Sequence, residues 1–460
     1  MSSLQRRVLI VAVLSSFVAF LDGTVVNVAL PAIVADLGGG LTVQQWVLDA
    51  YLITLGSLIL LAGSLSDQFG RVRVLRIGLL GFGVASVLCA VAPTGFFLIV
   101  ARGVQGAAGA LLVPSSLAMI IATFSGPAQS LAIGRWTAWS GIAAIIGPVL
   151  GGVFVDAFSW RWVFGINVAP IAVTVVLLGR LDRLDRADRT APATRRAPID
   201  WTGAALGVVG LAGPVFALIE QGRFGWSSPV VYGPLVVGVA AFLAFLQVER
   251  RSRHPMLPLE LFGVRNFWVG NLATVGIYGA LSLGSFAITL FLQQVAGFSA
   301  TASGVVLIPV TVVMLLLSSV FGGLAGRHGP RLFMAAGPIL AGVGYLLMLR
   351  AEIPLQLWTQ LMPGVALFGV GLAMTVAPLT SAVLGDIAEA HAGIGSAVNN
   401  AVSRVAGLVA IAFAGVIAGG ALDLDGFHRL VAWTAGLLIL SGVVAALGIT
   451  NRRPATGEGS

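Results

Sequence analysis

The sequence predicts an all-α polytopic membrane protein with fourteen transmembrane helices, arranged as two six-helix halves plus an inserted two-helix hairpin. Three observations carry this. Of 460 residues, 58% are apolar and only 10% are charged, against roughly 25% charged in a soluble globular chain. The mean hydropathy of +0.99 is too high for a soluble chain to cover its surface with polar groups. Arginines interrupt the apolar sequence at intervals that leave room for membrane helices of about 20 residues each.

The elements follow in order. The first apolar run, at roughly 8–33, is too long for a cleaved signal peptide, and Asp22 and Asn27 make it too polar. It is read as a retained helix. Runs at roughly 45–65, 74–93, 96–122, 131–155 and 161–179 complete a first half over residues 1–180. The alternating Arg and Asp residues between Arg180 and Asp200 read as a solvated linker, 181–201. Two runs at roughly 202–220 and 230–249 form the hairpin, 202–249. Runs at roughly 267–293, 301–325, 332–350, 355–382, 394–419 and 429–449 build the second half, 250–449. Residues 450–460 are a tail.

Arginine placement tests the count. With the N-terminus inside, nineteen arginines fall in inner segments and four outside (Arg161, Arg223, Arg350 and Arg429). That is the positive-inside bias, and a miscounted helix would reverse it downstream of the error. The chain is therefore expected in the cytoplasmic membrane of a bacterium, both termini cytoplasmic, with anionic lipid headgroups as partners of the inner arginines. A worn repeat supports the two halves. Gly63, Leu65 and Gly70 after the second run match Gly322, Leu324 and Gly329 after the tenth. Repeated halves are the build of an alternating-access transporter.

Several chemistries are excluded. The chain contains no lysine, so neither a phosphate-binding P-loop nor a lysine Schiff base can form. Cys89 is the single cysteine and cannot make an internal disulfide. The sequence pI near 11.0 does not imply nucleic acid, because the arginines are spread between apolar runs. His254, His328, His391 and His428 fall in predicted loops, which argues against a metal site or an intramembrane enzyme. No cofactor is expected.

Asp22 is the most informative residue. It lies about eleven residues, or roughly 16 Å, from the outer end of the first helix. An ionised carboxylate there is costly and needs a wet cavity or a partner. A carboxyl exposed alternately to the two sides is what proton coupling requires, with the proton gradient as the energy source. Its expected partner is Arg102, whose long stem can reach toward the midplane. Arg102, Gln105, Gly106 and Gly109 share one helical face. Asn27, about 140° around the helix from Asp22, is assigned to packing. In the fifth run, Gly147 and Gly151 make a small-xxx-small contact and Pro148 frees a carbonyl.

Four segments fall in order: Leu21-Asp22-Gly23-Thr24-Val25-Val26-Asn27-Val28-Ala29-Leu30-Pro31, the Gly63–Arg73 loop, Arg102-Gly103-Val104-Gln105-Gly106, and Gly147-Pro148-Val149-Leu150-Gly151-Gly152. Together they resemble the fourteen-helix drug:proton antiporter family of the major facilitator superfamily. Trp160-Arg161-Trp162, Ile166-Asn167, Asp200-Trp201 and Phe291-Leu292-Gln293-Gln294 resemble further family signatures. The resemblance covers nearly the whole chain.

It implies a major facilitator fold. It also implies that Asp22 is the proton-site acid and that Arg102 assists proton transfer. Gly63, Asp67, Gly70, Arg71 and Arg73 match a cytoplasmic gate, and Gly147, Pro148, Gly151 and Gly152 match the antiporter motif. Asp49 departs from the pattern, standing where members carry a small or hydroxylated residue. It is a candidate contact for a cationic substrate, with Gln105 as another, and the alternative is a solvated interfacial carboxylate. Glu220 reads as an interfacial loop residue.

The expected function is proton-coupled export of lipophilic or amphipathic small molecules. The alternative is a dedicated exporter of one endogenous metabolite or lipid. The sequence leaves the cargo and the oligomeric state open, and Gly203 and Gly207 could pack within the bundle.

Overall fold

The structure, a computed structural model, describes residues 1–179, 181, 199–252, 255–387, 392–420 and 422–451. Most of the expected linker and tail therefore lies outside the described residues. Among the described residues, fourteen helices are long and apolar enough to cross a membrane. Spans 1 to 6 are Ser3–Leu37, Gly40–Ser66, Arg71–Ala90, Gly95–Thr123, Leu131–Ala157 and Trp162–Gly179. Spans 7 and 8, the hairpin, are Trp201–Phe224 and Pro229–Arg251. Spans 9 to 14 are Arg265–Val295, Ala300–His328, Arg331–Arg350, Leu357–Gly385, Ile394–Ala418 and Leu424–Gly448.

The described chain groups into two units. Unit 1 holds Met1–Pro258, Ile288–Val305 and Ile411–Asp423, and unit 2 holds Leu259–Ala287, Val306–Ala410 and Leu424–Ser460. This spatial grouping does not follow the sequence halves. The hairpin and one end each of spans 9, 10 and 13 belong to unit 1.

In unit 1, span 1 is not one continuous α-helix. It begins on a capping box at Ser2 and Gln5, runs Ser3–Val25, tightens to a 3-10 turn at Asn27–Ala29, and resumes as Leu30–Leu37. Pro31 explains the break, because its ring removes the backbone N–H that would bond the Asn27 carbonyl. Asn27 therefore sits in the 3-10 turn, not on the α-helical face counted from sequence. Gln293 donates to the neighbouring carbonyl oxygen of Val28 at 3.0 Å. Span 4 shows the same effect, dividing at Leu111 three residues before Pro114. Buried Val8, Val18, Leu75, Phe82, Leu112 and Leu178 pack spans 1, 3, 4 and 6 on one core.

The hairpin starts on an Asp200 cap, whose carboxylate accepts from the N–H of Gly203 at 2.7 Å. Its two helices come close where Gly213 meets Gly238 and Gly210 meets Phe242. Gly203 faces Glu249 of the second helix and Gly207 has nothing against it, so the backbone approach is made further along than the Gly203/Gly207 pair.

The repeat is visible in the backbone. Helix Gly40–Phe69 in unit 1 ends on Gly70 at φ 92°, and helix Ile308–His328 in unit 2 ends on Gly329 at φ 86°. Both are left-handed helix stops that favour glycine. In unit 2, Asn399 donates to Asn271 Oδ1 at 3.1 Å and Thr274 Oγ1 at 2.9 Å, joining spans 13 and 9. His328 and His428 lie in helices rather than loops, and His428 contacts the Ala351 carbonyl at 2.9 Å. His254 and His391 fall outside the described residues.

Candidate functional site

The site is built on spans 1, 3, 4 and 6, with backbone support from span 2. Asp22 and Arg102 are both essentially inaccessible, at 0% and 1% exposed. Arg102 NH1 lies 2.6 Å from Asp22 Oδ2. The other carboxylate oxygen accepts from Gln105 Nε2 at 2.9 Å and from Asn167 Nδ2 at 2.9 Å. Three donors on three side chains thus hold one buried carboxylate. Such charge-assisted bonds are what make an intramembrane ion pair tolerable.

Arg102 is itself constrained on every side. NH1 also donates to Gln105 Oε1 at 2.6 Å, and Nε donates to the Val47 carbonyl oxygen at 3.0 Å. Its guanidinium lies 4.2 Å from the Tyr51 ring centroid, within cation–π range. Thr94 starts the helix that carries Arg102, its hydroxyl accepting from the Phe97 N–H at 3.2 Å. Arg102, Gln105, Gly106 and Gly109 are all buried, as their shared face requires. Gly106 lies directly against the Tyr51 carbonyl oxygen. A side chain there would hold spans 2 and 4 apart and pull Arg102 away from Val47.

Gln105 belongs to this network. Its carbonyl faces Arg102, and its amide donates to Asp22 and to Ser86 Oγ at 2.9 Å. The sequence also makes it a candidate substrate contact, and in this arrangement both ends of its amide are engaged within the network. Asn167 is the member of this network to which the sequence assigned no role. The signal was an isolated amide in the sixth apolar run, and polar groups at such depth are kept for a partner. Ser86, which accepts from both Gln105 and Asn167, gave no comparable signal.

The expectations for Asp49 and Glu220 are corrected. Span 2 begins at Gly40 rather than near residue 45, placing Asp49 about 14 Å along the helix. Asp49 is fully buried, not solvated at an interface. Glu220 lies inside helix Trp201–Phe224 and accepts from the Trp46 indole N–H at 2.8 Å, joining the hairpin to span 2.

The glycines expected to form the antiporter motif line close helix contacts within unit 1. Gly147 meets Thr24, and Gly151 meets the Val25 carbonyl oxygen. Gly152 faces Thr301, while the Pro148 carbonyl faces Gly304. One turn beyond Gly152, the Asp156 carboxylate accepts the N–H groups of Ala300 and Thr301 at 3.1 and 2.8 Å. Of the expected gate residues, Gly63 has open space beside it and Gly70 makes the left-handed turn. Arg71 is half-buried and Arg73 exposed, and the Asp67 side chain lies outside the described residues.

A buried ion pair held by spans of unit 1, in a chain with fourteen candidate membrane spans among the described residues, fits the class of membrane transport proteins. The chain belongs to the Major Facilitator Superfamily, whose family model matches residues 12–411. It is 34% identical to the puromycin resistance protein pur8 of Streptomyces alboniger, covering 98% of this chain and 92% of that protein. It is 32% identical to the methylenomycin A resistance protein of Bacillus subtilis, over 95% of this chain and 90% of the relative. The lincomycin resistance protein of Streptomyces lincolnensis is 32% identical, over 96% and 90% of the two chains. Among solved structures, a POT family transporter in complex with a thioalcohol-conjugated peptide superposes with a TM-score of 0.71. It covers 96% of this chain and 94% of that one, at 13% identity, and so reports the fold alone.

Proposed function

We propose that this protein is a proton-coupled antiporter that exports lipophilic or amphipathic small molecules, including antibiotics, across the cytoplasmic membrane. The observation that carries the coupling is the buried Asp22–Arg102 pair with Gln105 and Asn167 on the second carboxylate oxygen. The drug-resistance names of the relatives support the cargo class. The arginine bias supports an orientation with both termini cytoplasmic.

The geometry supports a simple coupling step. Arg102 is tied to the backbone of span 2 through Val47, whereas Asp22 belongs to span 1. A proton on Asp22 removes the charge that Arg102 attracts. Arg102 keeps its bonds to Val47 and Gln105, so protonation loosens span 1 from the paired spans 2 and 4. Loss of the proton restores the link. Substrate and proton then drive the same helix rearrangement in opposite senses, which is the requirement for antiport.

A dedicated exporter of one compound is the second reading, favoured by relatives named for single antibiotics. The test is substrate-evoked proton movement in energised inside-out vesicles. Lipophilic cations, neutral antibiotics and lipid-like compounds are added to wild type and to Asp22→Asn. Proton release in wild type alone supports the assignment. Equal responses in both would place the coupling proton elsewhere. A response to a single compound across the panel would favour the dedicated reading.

A further inference from the structure

Asp49 is a second fully buried carboxylate in unit 1, and the coupling step above does not use it. Among the described residues, neither of its carboxylate oxygens has a hydrogen-bond donor. One turn earlier on the same face, Gln45 Nε2 donates to the carbonyl oxygens of Ile411 and Ala412 at 2.7 and 3.0 Å. Gly415 lies against the same Gln45 amide. The Ile411–Asp423 stretch at the end of span 13 thus closes over the face of span 2 that carries Asp49.

The charges on the elements packed against helix Gly40–Phe69 are engaged or distant. Arg102 binds Asp22, Gln105 and Val47, and Glu220 accepts from Trp46. Arg223 stacks on Phe224, and Asp36 is bound by Trp160 and Arg161. Arg71, Arg73 and Arg76 begin the helix that follows the opposite end. Within Ile411–Asp423 the one charged residue is Asp423, the last of the stretch, and the same helix carries Arg404 about two turns before Ile411, where it belongs to unit 2 and acts on Tyr278. An ionised carboxylate enclosed in this way, with no cation and no donor on it among the described residues, is strongly disfavoured.

We propose that Asp49 is a second proton-binding site, and that a proton on it is the condition for the end of span 13 to close over span 2. In the outward-open arrangement Asp49 meets water and ionises. Closure buries it, so closure follows uptake of one proton from the outside. Reopening returns that proton to the same side. Asp49 therefore acts as a latch that couples closure to external acidity, while the proton on Asp22 is the one that crosses. The inference rests on the antiport reading for the proton that crosses at Asp22, and on the arginine bias for which end faces out.

The test uses the full-length protein in proteoliposomes. Cys89→Ser removes the native thiol, and Ala418→Cys places one in the closing stretch, where Ala418 is buried. Labelling by a membrane-impermeant maleimide is followed as the bath is acidified, with each rate normalised to unfolded protein at the same pH. In this parent the normalised rate should fall on acidification, by up to tenfold per pH unit for one linked proton. Asp49→Asn should label slowly at every pH. Asp49→Glu should restore the dependence, which separates titration from misfolding. Asp22→Asn should keep the dependence while losing substrate-evoked proton release, so failure of the antiport reading is seen separately. Undiminished pH dependence in Asp49→Asn, or its loss in Asp22→Asn alone, would overturn the proposal.

Discussion

Arg102 Nε donates to the Val47 carbonyl oxygen at 3.0 Å, so the guanidinium that pairs with Asp22 is simultaneously fixed to the backbone of span 2. A lysine would keep the charge but has no second donor in that fork geometry. Arg102→Lys should therefore retain expression and lose at least tenfold in proton-driven transport. Arg102→Met should be worse for the fold, because it leaves Asp22 buried without its cation, a loss of about 3–5 kcal/mol. Pairing it with Asp22→Asn should restore thermal stability in detergent but not transport. Wild-type transport in Arg102→Lys would show that the Val47 bond has no role.

Asn167 supplies a donor to Asp22 Oδ1 from span 6. Asn167→Leu preserves bulk but removes that bond, and hydrogen bonds to charged groups contribute about 1.5–3 kcal/mol. Substrate-evoked proton release should fall roughly tenfold or more, since about 1.4 kcal/mol corresponds to tenfold. Unchanged release rates in vesicles would reduce Asn167 to a packing residue.

The hairpin is held to span 2 by the Trp46–Glu220 bond and by a tilted contact of Trp46 with Phe216, with ring centroids 5.7 Å apart. Glu220→Gln keeps an acceptor and should be tolerated. Glu220→Leu leaves the indole N–H unsatisfied and should cost about 1–3 kcal/mol. Thermal unfolding of the purified variants distinguishes them, and equal melting temperatures would contradict the pairing.

Asp156 closes span 5 onto the first residues of span 10 by accepting two backbone hydrogen bonds. Removing a helix cap costs about 0.5–2 kcal/mol. Asp156→Ala should therefore raise the labelling of a cysteine introduced at buried Ser303 by about 2- to 30-fold, the same energy expressed as an opening equilibrium. Asp156→Asn, which keeps an acceptor, should fall between the two. No increase in labelling of the alanine variant would remove Asp156 from the closing contact.

Much of the fold was legible because lipid imposes a strong rule on sequence. A helix must be about 20 apolar residues long, and its flanking arginines prefer one side. The number of spans, the buried Asp22 and the Arg102 face followed from those rules and from helical periodicity. The break at Asn27–Ala29 was present in the sequence as Pro31, but an apolar count does not register it.

The remainder depended on partners far apart in the chain. Arg102 and Asp22 are 80 residues apart, and Asn167 and Asp22 are 145 apart. A backbone acceptor such as Val47 has no signature in the sequence, because every residue type carries the same carbonyl. Asp49 makes the same point from the opposite direction. Sequence alone determined that a carboxylate occurs in the second span, and depth counted from an apolar run made it interfacial. Only the tertiary structure, through the earlier helix start at Gly40 and the Gln45 contact with Ile411 and Ala412, decided that it is enclosed. Hydropathy reports how well a segment tolerates lipid. Which atoms satisfy a buried charge is settled by where the other helices place their donors.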